Sequence, residues 1–172
     1  PASAHRYLAT KTVVIPYCPR DAFVPFHERT ERWAVIVAHR RAGKTVATVN
    51  DLIRRAIQDG KENGRYAYVA PLYGQAKAVA WDYLRRFSEP LLVNANETEL
   101  RVDLVNGSRI RLYGADNPDT LRGIALDGVV LDEVADMKPR VWSEVIRPAL
   151  SDRQGWAVFI GTPRGHNTFF DI

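Results

Sequence analysis

The sequence predicts an α/β domain built on a mainly parallel sheet flanked by helices, and three observations carry that reading. Apolar runs of strand length alternate with stretches whose apolar residues recur at helical spacing. One such strand runs through a turn ending in Gly43-Lys44-Thr45 straight into a helix-like segment. One region, Glu99 to Tyr113, changes from helical to alternating period and reads as an inserted β-hairpin.

Pro1 to Arg32 is rich in proline (Pro16, Pro19, Pro25), which disfavours continuous helix or central strand. It reads as an N-terminal arm over residues 1–32, ending in a short helical turn near Phe26 to Glu31 and leading into a single core over residues 33–172. Trp33 to Ala38 has the apolar, β-branched character of a strand buried on both faces. From Lys44 to Asp59, Val46, Val49, Leu52, Ile53, Ala56 and Ile57 fall at helical intervals, and Gly60 with Gly64 closes the helix.

Tyr66 to Ala70 is the next strand, ended by Pro71. A helix follows from Gly74 to Phe87, with Ala76, Val79, Ala80, Tyr83, Leu84 and Phe87 on one side. In the hairpin, a two-residue Asn106-Gly107 turn would spoil the faces. A three-residue loop Asn106-Gly107-Ser108 sets Leu104 opposite Ile110 and Val102 opposite Leu112. Gly128 to Leu131 is a buried strand, Pro139 to Leu150 a helix and Trp156 to Ile160 a last strand.

Composition sets the bounds. With 172 residues, 46% hydrophobic and 26% charged, the chain suits one well-buried domain. The net charge of +4 fits a nucleic-acid partner without requiring one. A single cysteine, Cys18, excludes an internal disulfide and agrees with a reducing compartment. No apolar run approaches the roughly 20 residues of a spanning helix, so a soluble, intracellular protein without a membrane partner is expected.

The loop from Ala38 to Thr45 follows the pattern G-x-x-x-x-G-K-[ST], with Ala38 where the first glycine is expected. Such a loop turns backbone N–H groups inward around phosphates, with a lysine for the β/γ oxygens and a hydroxyl for Mg²⁺. His39, Arg40, Arg41, Ala42, Gly43, Lys44 and Thr45 are therefore candidate nucleotide-binding residues. Val129-Val130-Leu131-Asp132-Glu133 ends a buried strand in two carboxylates. There Asp132 can serve the Mg²⁺ shell and Glu133 can orient and deprotonate a water.

These motifs, with Arg40 in the loop, Arg122-Gly123 ahead of the carboxylate strand, and Gly161-Thr162-Pro163-Arg164-Gly165-His166-Asn167 near the end, resemble the ATPase domain of bacteriophage terminase large subunits, the DNA-packaging motors. The resemblance runs from about Phe26 to Phe170. It implies a P-loop NTPase of the additional-strand, catalytic-glutamate class, expected here with the glutamate on the strand next to the loop strand. By the same resemblance Arg40 contacts phosphates, Lys44 and Thr45 bind phosphate and Mg²⁺, Asp132 is metal-associated and Glu133 is catalytic. Thr162 matches the coupling motif that senses the γ-phosphate, and Arg122 an arginine finger offered to a neighbouring subunit.

The implied cofactors are ATP and Mg²⁺. The implied partners are double-stranded DNA, further copies of the chain in a ring, pentameric on the portal, the portal protein and the small terminase subunit, in the host cell cytoplasm. Many relatives read adenine with a glutamine where His27 stands, and no DNA cleavage is expected because the acidic nuclease cluster is absent. Arg101, Arg109 and Arg111 on the hairpin, with Lys77, Arg85 and Arg86 on a helix, are candidate DNA contacts. The same residues could simply be solvated, with Asp103 pairing Arg111 across the hairpin. Two other functions fit parts of the sequence: a helicase-like translocase and a nucleotide-gated assembly module with slow hydrolysis.

Overall fold

The computed structural model describes residues 12–59, 61 and 63–162. Its centre is a seven-stranded sheet in the order β1-β7-β6-β2-β5-β4-β3. The strands are β1 (Trp33–Val37), β2 (Arg65–Ala70), β3 (Leu92–Asn96), β4 (Arg101–Leu104), β5 (Arg109–Gly114), β6 (Gly128–Asp132) and β7 (Trp156–Gly161). Strands β1, β7, β6, β2 and β5 run parallel, and β4 and β3 are antiparallel additions at one end.

Helix α1 (Val24–Glu28) follows a 3₁₀ turn, Asp21–Phe23. The expected turn at Phe26 to Glu31 thus starts earlier, because Pro25 sits in the first turn, where its missing N–H costs nothing. Helix α2 (Lys44–Gln58) carries the loop's lysine at its first position. Helix α3 is continuous from Tyr73–Ala76 through a π-turn, Lys77–Trp81, to Asp82–Ser88, and the wider π-turn brings Trp81 into the core beside Ala80 and Leu84. Helix α4 runs as a π-turn Val141–Ile146 and then Arg147–Ser151. Pro148 is the second residue after the π-turn, where looser winding relieves the clash of its ring with the preceding turn.

Two cores form, one on each face of the sheet. Leu52, Ile53 and Ala56 of α2 and Leu84 and Phe87 of α3 pack on Tyr68, Ile110, Leu112, Val130 and Val158. Val141, Ile146 and Leu150 of α4 pack on Val69, Val129, Leu131 and Phe159. Period-2 alternation decides which strand residue joins which core, as the pleat requires.

Three expectations are corrected. β1 is an edge strand rather than one buried on both faces, with Trp33, Val35 and Val37 exposed by 41%, 51% and 54%. The carboxylate strand β6 is not next to β1, because β7 lies between them and pairs with both. In the hairpin the loop has three residues but comprises Val105-Asn106-Gly107. Leu104 faces Ser108 and Val102 faces Ile110. Gly107, at φ +79°, takes the left-handed position that closes this turn, so the shift by two residues keeps every apolar side chain on its expected face. β3 was not expected from the sequence at all. Its Val93 and Asn94 are exposed, so it lacks the alternation that marks a strand.

Candidate functional site

The parallel strands all finish at the same end of the sheet, and the candidate residues gather there. Ala38 continues the ladder beyond β1, its N–H donating to Gly161 O at 3.3 Å. The chain then turns through His39–Gly43, with positive φ at Arg41 (65°) and Gly43 (102°). Ala38 itself has no positive φ, so the missing first glycine is not needed at the loop's entry. Gly43 caps α2, whose N-terminal N–H groups and dipole favour an anion in front of them.

Lys44 is buried, and its ammonium donates to Ala38 O at 2.6 Å, His39 O at 3.2 Å and Thr162 Oγ1 at 3.5 Å. Thr162 in turn donates from Oγ1 to Glu133 Oε1 at 2.8 Å and from its backbone N–H to Glu133 Oε2 at 3.2 Å. A continuous polar chain therefore links lysine, threonine and glutamate, which come from three separate segments. Glu133 holds a left-handed conformation (φ 46°, ψ 49°), a strained backbone state of the kind that concentrates at functional sites.

Asp132 ends β6, buried, and accepts a 2.6 Å hydrogen bond from the Tyr68 hydroxyl of β2. Burial raises the Asp132 pKa; the Tyr68 hydrogen bond opposes this and the neighbouring Glu133 charge adds to it. Burial, then the Asp132 charge, pushes the Tyr68 hydroxyl well above its ordinary value, so it remains a donor.

A cavity of about 570 Å³ opens among these groups, lined by Arg40, Arg41, Ala42, Gly43, Lys44, Thr45, Asp132 and Glu133. His39 contributes through its carbonyl, and Thr162 through its contacts to Lys44 and Glu133. Thr45 and Asp132 present a hydroxyl and a carboxylate to the same space. Two adjacent carboxylates, one of them resisting ionisation, make a donor set that a divalent cation would complete.

Sequence reasoning missed several wall residues. Arg20 of the arm donates to Ala42 O at 2.8 Å and also lines the cavity, as do Gln75, Val79 and Tyr83 of α3. No local pattern signals Arg20, whereas Tyr68 could have been found from its place on a strand of the same sheet with its end at the site.

Two candidates lie elsewhere. Arg122 is 63% exposed, 3.3 Å from Asp119, on a separate cavity of about 270 Å³ with Glu144 and Asp152. His27 is turned toward α2: its Nε2 lies 2.9 Å from the Tyr17 hydroxyl and its Nδ1 3.4 Å from Asp51, so it does not line the cavity. Residues 163–167 of the Gly161-Thr162 motif lie outside the described residues. Among the described residues no helix is long and apolar enough to cross a membrane.

Known proteins share this fold. The family described as "Terminase large subunit, T4likevirus-type, N-terminal" matches residues 35–172. The chain is 32% identical to the terminase large subunit of Thermus phage G20c, over 92% of this chain and 36% of that protein. It is 26% identical to that of Escherichia phage T5, over 91% and 36%. It thus spans about a third of the length of these relatives. Among solved structures, the large terminase ATPase domain of Thermus phage P74-26 superposes with a TM-score of 0.80 at 29% identity, over 91% of this chain and 70% of that one. The large terminase of a thermophilic bacteriophage, in complex with ATP-gamma-S, gives 0.67 at 19% identity, over 78% and 33%. The chain belongs to the family of phage terminase large subunits, of which it carries the N-terminal domain.

Proposed function

We propose that this domain is a Mg²⁺-dependent ATPase that powers translocation of double-stranded DNA into a viral procapsid. The observation that carries the reading is the convergence of Arg40, Lys44, Thr45, Asp132 and Glu133 on one cavity, with Thr162 joining Lys44 to Glu133. Family membership supports ATP as the nucleotide, and β7 interposed between β1 and β6 supports the additional-strand class.

The loop N–H groups and Lys44 hold the β/γ-phosphates, and Arg40 adds charge at the cavity mouth. Thr45 and Asp132 would hold the Mg²⁺, which supplies charge to the phosphate oxygens. Glu133 orients a water for in-line attack on the γ-phosphorus. The new P–O bond forms as the bond to the ADP oxygen breaks, and the water's proton passes to Glu133. Because Thr162 binds the same carboxylate, loss of the γ-phosphate changes what Lys44 and Thr162 contact, which is how the site reports to moving parts.

Arg122 acts on a neighbouring subunit's nucleotide. Its exposure, on a cavity separate from its own phosphate loop, supports a ring of copies. The portal and the small terminase subunit would be the ring's other partners.

The test is ATP turnover with Mg²⁺ and duplex DNA. Glu133→Ala abolishes turnover, and Arg122→Ala protein mixed in at rising proportion poisons it. Turnover indifferent to Glu133→Ala would sink the enzyme, and turnover independent of protein concentration and of Arg122 would sink the ring.

A further inference from the structure

At the opposite end of the sheet, where β2, β5 and β6 begin, the strands gather arginines. β5 presents Arg109, Arg111 and Tyr113 on one face, while Ile110 and Leu112 enter the core on the other. Arg65 of β2 lies directly across from Arg109, and Arg101 of β4 directly across from Arg111. Like charges placed opposite each other on one face destabilise a sheet. Asp103 offsets part of this, 2.6 Å from Arg109 Nε and 3.5 Å from Arg101 Nε, and Glu99 pairs with Arg101 at 2.5 Å. The pairing expected between Asp103 and Arg111 does not form; Arg111 donates to Glu99 O at 3.2 Å and stacks 5.0 Å over the Tyr113 ring.

Arg153, just beyond α4, joins the group, held to Asp127 at 3.0 Å. Arg65, Arg109, Arg111 and Arg153 line a cavity of about 340 Å³ whose described lining contains no acidic side chain. Arg65 is tied through Nη1 to the carbonyls of Asn63, Gly64 and Gly107. These contacts use one nitrogen of each guanidinium, and each has five N–H donors. Asp103 and Asp127 are each shared with a further cation, Arg101 and Lys61, so the cavity keeps a positive excess. Burial, then the charges of Arg109 and Arg153, lowers the Arg65 pKa, as crowding of guanidiniums requires.

We propose that this cavity is a phosphate site distinct from the phosphate loop, taking either a backbone phosphate of duplex DNA or a free phosphate anion. Arginine forks match phosphate oxygens in pairs, and an anion here would relieve the Arg65–Arg109 pair and the crowding of Arg111 and Arg153 beside it. The anion site stands on charge and geometry alone; only its duplex occupant rests on the motor reading.

Two titrations test it. Anisotropy of a labelled random-sequence duplex over a salt series reads the DNA arm. Calorimetry of pyrophosphate into protein carrying Lys44→Ala, which silences the loop lysine, reads the free-anion arm. Arg111→Gln is expected to weaken duplex binding several-fold and to flatten the salt slope by about 0.9, the value of one lost phosphate contact. Arg111→Lys keeps the charge and restores the slope, and thermal midpoint and DNA-independent turnover stay at the parent values.

Loss of pyrophosphate binding with duplex binding intact would assign the site to a free anion. No change in either titration with Arg111→Gln or Arg109→Gln overturns the proposal. An equal loss on Arg147→Gln, an exposed cation of α4, overturns it too, because it would mean diffuse attraction. Turnover indifferent to Glu133→Ala would remove the motor reading and leave the pyrophosphate result standing.

Discussion

Replacing Asp51 by asparagine perturbs the joint between the arm and α2, the helix that carries Lys44 and Thr45. Asp51 is fully buried, 2.7 Å from Arg29, 2.9 Å from Arg54, 3.3 Å from Arg55 and 3.4 Å from His27. Burial alone would raise its pKa, but hydrogen bonds from His27, Arg29 and Arg54 and the Arg29 charge prevail and bring it from 3.8 to about 2. At about 1.4 kcal/mol per unit, that gap corresponds to ~2–3 kcal/mol of stability at neutral pH. Arg29 opposes part of it, since burial lowers its own pKa, so ~2 kcal/mol is the better figure for the charge alone.

Asparagine also leaves Arg29, nearly buried, without its counter-ion, and breaking a buried pair costs about 3–5 kcal/mol. Between ~2 and 5 kcal/mol, at about 2–4 °C per kcal/mol for a domain of this size, the melting temperature should fall by roughly 5–15 °C. The folded pKa lies below the unfolded one. The contribution is therefore complete above about pH 5 and disappears as pH falls from about 4 through 2. Thermal unfolding of both proteins from neutral pH to about pH 2 checks this. A shift under about 2 °C at pH 7, or a gap between the proteins that stays constant into acid, would refute the reasoning.

At the site, Asp132→Asn is expected to melt higher than the parent at pH 7 while losing ATP turnover. Burial holds the Asp132 pKa above its unfolded value, so this group's stability is complete below that value and is lost as pH rises through the folded one; the difference between the proteins should therefore close in acid. Tyr68→Phe removes a 2.6 Å hydrogen bond to that carboxylate and should cost ~1.5–3 kcal/mol by urea unfolding at neutral pH, with slower turnover. Gly128→Ala would drive a methyl group into the Trp156 ring, and an unfolding free energy lower by ~1–3 kcal/mol in urea, with altered tryptophan fluorescence, is expected.

Local pattern alone determined most of the elements and most of the residues that meet at the candidate site. Apolar runs located β2, β6 and β7, helical spacing located α2 and α3, and Gly43-Lys44-Thr45 with Asp132-Glu133 named residues that line one cavity, because backbone turn and side-chain type are both local properties. The sequence could not order the strands. Whether β7 or β6 neighbours β1 depends on how both faces of the sheet are covered, and the edge position of β1 follows from that order. The hairpin's register required the left-handed Gly107 and the packing of Val102 against Ile110, since either register kept the apolar faces aligned. Contacts between distant segments were decided only in three dimensions. Thr162 bridges Lys44 and Glu133, Tyr68 reaches Asp132, and Arg20 reaches the loop, because packing brought their backbones together. Arg109 and Arg111 shared the hairpin in the sequence but Arg65 and Arg153 did not belong with them; parallel pairing of β2 with β5 and the end of α4 made the four one cavity.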